Sequence, residues 1–443
     1  MPFDIVDELK KLVSFNTVND SESKPSMDCS NYIKNRFEDY GFITDIIESK
    51  EFYSILGRKG HGSFKILFLA HFDVVPPGED WRTDPFKLHV DGDHAYGRGT
   101  CDNKGNIVSM LKLAEAFNEN ELPCTLLLAA SGDEEIGGAN GALKLREYLI
   151  TNGLFPDYVV IADGINQVVI HRRRNVLPTT IKAKRKIAKM KGREETIRFE
   201  TDIFGSESRH SAYQRRGVDR HALLTASKYL DLNGFTCVKG VRGGFVKSNV
   251  IPAWVELDVV HPDETGTEVE YDETLTGIFR GLLPLSSASF PTMYSDLGTT
   301  VSPNLLSLDD DLWTLYCDVR AMTDDNEAVQ DAFTKAISER VELYSIRVPP
   351  MPGCVNSDRN SKLIRAAEWS LKKEGINYRV MEGYGASDSR YFAGRGSDVF
   401  DFGPRGDNLH GPNEWVSLIS IEENARFFYT LIEVLARDPS PIA

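Results

Sequence analysis

A chain of 443 residues exceeds what one hydrophobic core usually organises, so two domains are expected. Hydrophobic residues at 41% and charged residues at 26% are ordinary for a globular protein and exclude a disordered or fibrous chain. No apolar run nears the roughly 20 residues that span a bilayer, and a net charge of −15 opposes general attraction to nucleic acid or to an anionic membrane surface.

The opening stretch MPFDIVDELKKLVSF is amphipathic, with Ile5, Val6, Leu9, Leu12 and Val13 on one face, and it lacks the apolar centre and cleavage site of a signal peptide. A cytoplasmic location is therefore expected. The cysteines (Cys29, Cys101, Cys124, Cys237, Cys317, Cys354) are scattered without CxxC spacing, which suits reduced thiols and argues against a thiolate zinc site.

The first 165 residues then alternate between two patterns. MDCSNYIKNRFEDYGF is helical, FKILFLA is a buried strand, NIVSMLKLAEAF is helical, and CTLLLAAS and DYVVIAD are two more buried strands. Continuous Val, Leu and Ile runs separated by helices predict an α/β domain with a mixed, mostly parallel sheet covered by helices.

After about residue 172 the texture changes. TIRFETDIFG and WVELDVVHP alternate apolar and polar residues, VDRHALLTASKYLDL reads as a helix, and LWTLYCDVRAM is a strand followed by a helix from Asn326 to Glu342. This predicts a smaller α+β domain, residues 176–350, inserted into the first. Between His171 and Arg193 runs a basic tract; phosphate contact is one reading of it, and a solvated linker or strand face is the favoured one.

From about residue 357 the opening texture returns. A helix is expected at SKLIRAAEWSLKKEG, a strand at SDVFDFG, and a last helix opened by Ser420 and Glu423 in capping-box spacing. The larger domain is thus discontinuous, residues 1–175 and 351–443.

Chemistry-bearing residues collect where strands stop. His71 and Asp73 follow KILFLA; Asp133, Glu134 and Glu135 follow TLLLAAS; Asp163 follows DYVVIA; His410 follows DVFDF after a short loop. Open α/β sheets place their sites outside the carboxyl ends of strands, where these groups would converge. Taken singly, each has a plainer reading, as a surface or core histidine or as an acid capping a turn. Repetition at successive strand ends favours a shared site. GRGTCDNKGN adds Asp102, presented by a glycine-rich turn just before a helix. That turn lacks the GxxxxGK[ST] spacing of a phosphate loop, and its central acid would repel phosphate.

The run HFDVVPPGEDWRTDPFKLHVDGDHAYGRGTCDNKG, followed in order by SGDEEIGG, IADG, GASDSRYF and NLHGPNEW, resembles a known family. It is the dizinc metallopeptidase family of aminoacylase, acetylornithine deacetylase, succinyl-diaminopimelate desuccinylase and glutamate carboxypeptidase. The resemblance implies that His71 and Asp163 bind one zinc, that Glu135 and His410 bind the other, and that Asp102 bridges both, with cobalt an alternative metal. Imidazole and carboxylate are ordinary zinc ligands, and one carboxylate can span ions about 3.5–4 Å apart. Two divalent cations outweigh three carboxylates, and the residual positive charge favours a bound hydroxide.

It further implies that Asp73 accepts the second N–H of His71 and fixes its orientation, and that Glu134 is the general base. His210, in SESRHSAY, would help hold the substrate carbonyl's developing oxyanion, a residue that relatives often supply from a dimer partner. Arg320 in CDVRAM and Arg390 in SDSRYF match positions that contact substrate, where a planar fork suits a carboxylate, or they serve as structural ion-pair partners. The inserted domain would be a lid and dimerisation module, making a homodimer.

One departure stands out. Relatives place an asparagine turn shortly before the strand ending in Asp-x-Arg, whereas here SNVIPA (Asn249) lies far upstream of Arg320 and VSPN (Asn304) holds the nearer position. Either asparagine is a candidate for substrate contact, and the segment between them looks like an insertion. The implied activity is metal-dependent hydrolysis of amide bonds in N-acyl amino acids, of deacetylase or desuccinylase type. Dipeptidase or carboxypeptidase action is the alternative, since the ligand motifs do not separate them. A non-catalytic peptide-binding homologue would be expected to have lost a ligand or the base, and none is missing.

Overall fold

The structure is a computed structural model that describes residues 3–20, 22–118, 120–204, 209–215, 217–293 and 298–437. The chain forms two compact units, Met1–Arg173 with Val355–Ala443, and Arg174–Cys354.

The first unit is built on a nine-stranded mixed sheet. At its centre Lys65–His71 lies parallel to both Thr125–Ser131 and Tyr158–Ile161, and Asp398–Asp401 runs parallel beyond Tyr158–Ile161. Side chains alternate across a strand, and here both faces are apolar. Ile66, Phe68 and Ala70 join one core, with Ile107, Leu363, Phe427 and Phe428 of the helices Gly105–Ala116, Lys362–Lys373 and Leu418–Ala436. Leu67 and Leu69 join the other, with Ala142, Leu145 and Leu149 of the helix Ala142–Thr151. This is the α/β architecture with a parallel centre that the apolar runs imply. The antiparallel hairpin Ile43–Ser49 and Phe52–Lys59 extends one edge, while Val168–Arg173 lies at the other, with Arg379–Gly383 and Val355–Asn356 beside it.

The last helix starts earlier than its capping-box spacing suggests. Ser417 is the N-cap, its hydroxyl accepting the Ser420 amide at 3.2 Å, and Ser420 lies buried in the first turn. Glu423 is instead bound by Arg405 and Gln167, each at 2.7 Å, so it is not the partner of a cap.

The second unit holds two antiparallel sheets. One orders Thr300–Asp309, Leu312–Ala321, Thr179–Lys184 and Ser345–Arg347; the other orders Cys237–Gly243, Trp254–Pro262, Ile187–Glu200 and Thr267–Asp272. Helices Ala222–Leu232, Glu273–Ser286 and Asn326–Ile337 share one core with them. The expected helix at Asn326 therefore stops at Ile337, five residues before Glu342. The segment between Asn249 and Arg320 is integral to this unit, supplying the helix Glu273–Ser286 and the strand Thr300–Asp309, which pairs with the strand of Arg320.

The favoured reading of the basic tract fails at its start. His171, Arg172, Arg173 and Arg174 are buried. Arg173 Nε donates to Asp401 at 2.9 Å, and Arg172 donates to Asn356 at 2.8 Å and to Glu382. From Lys184 to Lys186 the tract is exposed, as expected. Cys29, Cys101, Cys124 and Cys317 are buried thiols. Among the described residues no helix is long and apolar enough to cross a membrane.

Candidate metal centre and active site

The strand Lys65–His71 ends on the first candidate ligand, and His71 is only 1% exposed. Its Nδ1 lies 3.0 Å from the backbone carbonyl of Asp73 and 3.4 Å from the Asp73 carboxylate. That carboxylate has further partners. It accepts the amides of Glu134 at 3.2 Å and Glu135 at 3.1 Å, and the Asn19 side chain at 2.8 Å. The sequence reading linked Asp73 to the imidazole alone; the structure also ties it to the turn that carries both glutamates.

Asp102 sits in a tight turn, Thr100–Lys104, that runs directly into the helix Gly105–Ala116. The turn is held by Glu414, a residue the sequence reading missed. Glu414 is fully buried and accepts the amides of Gly99, Cys101 and Asp102, each at 2.9 Å, and Arg98 Nη1 at 2.6 Å. Its one local signal was an acid near the end of the motif NLHGPNEW.

With its backbone fixed, Asp102 points one carboxylate oxygen at each histidine. Oδ1 is 3.0 Å from His71 Nε2, and Oδ2 is 3.0 Å from His410 Nε2. Asp163 Oδ1 is 3.3 Å from His71 Nε2 and accepts the Asn103 side chain at 3.0 Å, while Glu135 Oε2 is 3.1 Å from His410 Nε2. His410 adopts φ +61°, a left-handed backbone that non-glycine residues hold only when their surroundings impose it. The candidate ligand atoms thus form two groups, His71 with Asp102 and Asp163, and Asp102 with Glu135 and His410, with the atoms of each group within 4.8 Å of one another.

The charges in this cluster call for a cation. Burial pulls His71 down, but the Asp163 charge and hydrogen bonds to Asp102 and Asp163 outweigh it and hold the ring well above the ordinary histidine range. Against the same burial penalty, hydrogen bonds to Asp102 and Glu135 push His410 up to about 11. Burial and the nearby Asp102 push Glu135 up to about 7, and burial with the Asp163 charge holds Glu134 well above the usual carboxylate range. Among the described residues, Glu135 Oε1 is buried without a hydrogen-bond partner. Two imidazoles, three carboxylates, one of them aimed at both rings, and an unsatisfied buried oxygen fit a pair of divalent ions.

Arg390 lies in the same unit, tethered by Nη2 to the carbonyl of Gly137 at 2.8 Å, just past the turn of Glu134 and Glu135. Beside it Asp388 is buried, accepts the Ser131 hydroxyl at 3.2 Å, and is pushed up to about 7 by burial. His210 and Arg320 belong to the second unit. Arg320 donates to Asp318, and His210 faces the Asn249 side chain at 3.3 Å. Of the two asparagines, Asn249 is thus the one beside His210. Asn304 is fully buried, its amide donating to the Ser248 carbonyl at 2.6 Å.

The family described as peptidase family M20/M25/M40 matches residues 67–434. The chain belongs to this family. It is accordingly a metallo-hydrolase, with the family's α/β domain and second, inserted domain. Curated relatives include the succinyl-diaminopimelate desuccinylase of Sulfurimonas denitrificans, 24% identical over 91% of this chain and 92% of that one. The enzyme of the same name from Wolinella succinogenes is 22% identical over 97% of this chain and 99% of its own. Among solved structures, the aminoacylhistidine dipeptidase of Vibrio alginolyticus superposes with a TM-score of 0.72 at 15% identity, covering 98% of each chain. A metallo-carboxypeptidase of Sulfolobus solfataricus gives 0.65 at 15% identity, covering 98% of this chain and 99% of that one. These two likenesses speak for the fold alone.

Proposed function

We propose that this M20 enzyme hydrolyses the amide bond of N-acyl amino acids of the acetyl or succinyl type. The observation that carries this reading is Asp102, whose two oxygens each lie 3.0 Å from a different histidine, with Glu134 next in the chain to Glu135. His71 and Asp163 would hold one ion, Glu135 and His410 the other, and Asp102 both. When bound, the ions, zinc or cobalt, supply Lewis acidity and make water a nucleophile near neutral pH.

The chain's own groups do the rest. Glu134 takes the proton of the attacking water and delivers it to the leaving nitrogen. Asp73 keeps His71 and the Glu134–Glu135 turn in register. Arg390 and Arg320 offer guanidinium forks to the carboxylate of the amino acid, and His210 offers an N–H to the developing oxyanion. Residues 1–175 and 351–443 act as the catalytic domain, with 176–350 as a lid through which two copies dimerise. The enzyme works in the cytoplasm on a small acyl amino acid or short peptide, with no nucleic-acid or membrane partner.

The desuccinylase relatives, aligned over nearly their whole length, favour the deacylase reading, and the fold shared with a dipeptidase and a carboxypeptidase keeps a peptidase reading second. A panel of N-acetyl and N-succinyl amino acids beside unblocked dipeptides separates them. Metal-dependent cleavage of the blocked compounds is expected; cleavage of free dipeptides alone would establish the peptidase.

A further inference from the structure

The second unit contains a buried polar cluster joining the two residues to which substrate contacts are assigned there. We propose that Asp318 is a positioning residue: its carboxylate orders the Arg320 guanidinium and, through Ser211, the turn that sets the tautomer of His210. This rests on the reading that His210 and Arg320 meet the substrate.

Asp318 and Arg320 are two apart on the strand Leu312–Ala321, so both side chains leave the same face. They are buried, at 2% and 6% exposure. Arg320 Nε lies 3.2 Å from each Asp318 oxygen, and Nη2 lies 3.1 Å from Oδ2. A guanidinium gripped side-on by one carboxylate has a fixed plane, and its far edge, with Nη1, is left to face a second carboxylate.

Asp318 Oδ2, the oxygen that faces Nη2, also accepts the Ser211 hydroxyl. That hydroxyl also lies 3.0 Å from the Asn249 carbonyl, but it has one proton, and the charged acceptor takes it. The Ser211 amide donates to the same Asn249 carbonyl at 3.0 Å. Ser211 is therefore pinned on both sides, and the residue before it is His210. The Ala212 amide points at His210 Nδ1 at 3.1 Å. A backbone N–H can only donate, so Nδ1 must accept, and the proton of the neutral ring sits on Nε2. Asn249 must then turn its side-chain oxygen toward that N–H, an orientation fixed by the hydrogen-bond network. The outcome is a neutral imidazole with its proton on Nε2, the tautomer that donation to an oxyanion requires.

One carboxylate thus prepares a group for substrate binding and a group for the transition state. The test uses the full-length, metal-loaded enzyme with its best panel substrate. Asp318→Asn is expected to lower kcat/KM about 100-fold through both kcat and KM, and Ser211→Ala to lower kcat about 10-fold with KM little changed. Imidazole ¹⁵N spectra should show His210 protonated on Nε2 in the parent and in mixed tautomers in both variants. Near-UV circular dichroism and urea unfolding of Ser211→Ala that match the parent verify the fold of the second unit, and if Asp318→Asn fails to fold, Ser211→Ala decides alone. An unchanged tautomer with kcat/KM within about twofold of the parent, while His210→Ala and Arg320→Ala are both impaired, overturns the positioning role. Full activity in His210→Ala and Arg320→Ala overturns the underlying substrate assignment instead.

Discussion

Asp73 does more than orient one histidine. Because its carboxylate receives the amides of Glu134 and Glu135, a single buried side chain sets a proposed ligand, the proposed base and the His71 ring together. Asp73→Asn keeps the shape but removes the charge, and it should weaken metal binding about 10- to 100-fold, read by competition with a chelating dye. Glu134 is the sharper case. Glu134→Gln leaves the ligands intact, so the variant should bind the same two metal equivalents while kcat falls by about 10²- to 10⁴-fold. Loss of metal from that variant would mean that Glu134 is itself a ligand. In the second unit, burial lowers His221 to about 3. The unfolded chain takes up a proton near the ordinary pKa of about 6.5 while the folded ring stays neutral, so the unfolded state binds more protons between those values. Stability therefore rises with pH through that window and falls on acidification, by up to about 1.4 kcal/mol per pH unit from this group. The His221 ring carbons should show no titration between pH 8 and 5 by NMR; a midpoint near 6.5 would refute the assignment.

At the scale of elements, the proposed site depends on how strand ends are pinned. Gly403 follows the strand Asp398–Asp401, and a Cβ there would lie 1.7 Å from the carbonyl oxygen of Gly164, the residue after Asp163. Backbone cannot yield as a side-chain tip can, so Gly403→Ala should displace Asp163 and weaken metal binding about 10- to 100-fold, measured by the same competition. Glu414 pins the turn of Asp102. Glu414→Ala strands the Arg98 guanidinium, 1% exposed, and should cost about 3–5 kcal/mol in urea unfolding. These elements differ in how legible they were. The parallel strands were plain because burial on both faces demands unbroken apolar runs, and the ligand candidates were plain because they punctuate those runs. The hairpin strand Ile43–Ser49 was not, since its outer face is solvated and ITDIIES carries no clear period. Ser417 and Ser420 are equally good caps locally, and the choice fell to the pairing of Glu423 with Arg405. Arg173 read as solvated because its partner, Asp401, is 228 residues away, and Glu414 went unnoticed for the same reason, its amides lying more than 310 residues upstream.

For the whole molecule, two units with separate cores mean that metal should act first on the one that carries the proposed ligands. Ions that bind only the folded site stabilise it by about 4 kcal/mol at a thousand times Kd. Hydrogen exchange should accordingly slow in segments 67–73, 100–106, 131–136, 161–164 and 407–411 on loading, and recover on chelation. The family match and the geometry around Asp102 meet in one claim, that two ions and Glu134 together cleave an amide. Its most direct test is a stoichiometric titration of the chelated enzyme with zinc while hydrolysis of an N-succinyl or N-acetyl amino acid is followed, in parallel with Glu134→Gln. The account predicts that turnover saturates as the second equivalent binds and that Glu134→Gln binds both equivalents without turnover. Full turnover in Glu134→Gln, or activity that persists in the fully chelated enzyme, would contradict it.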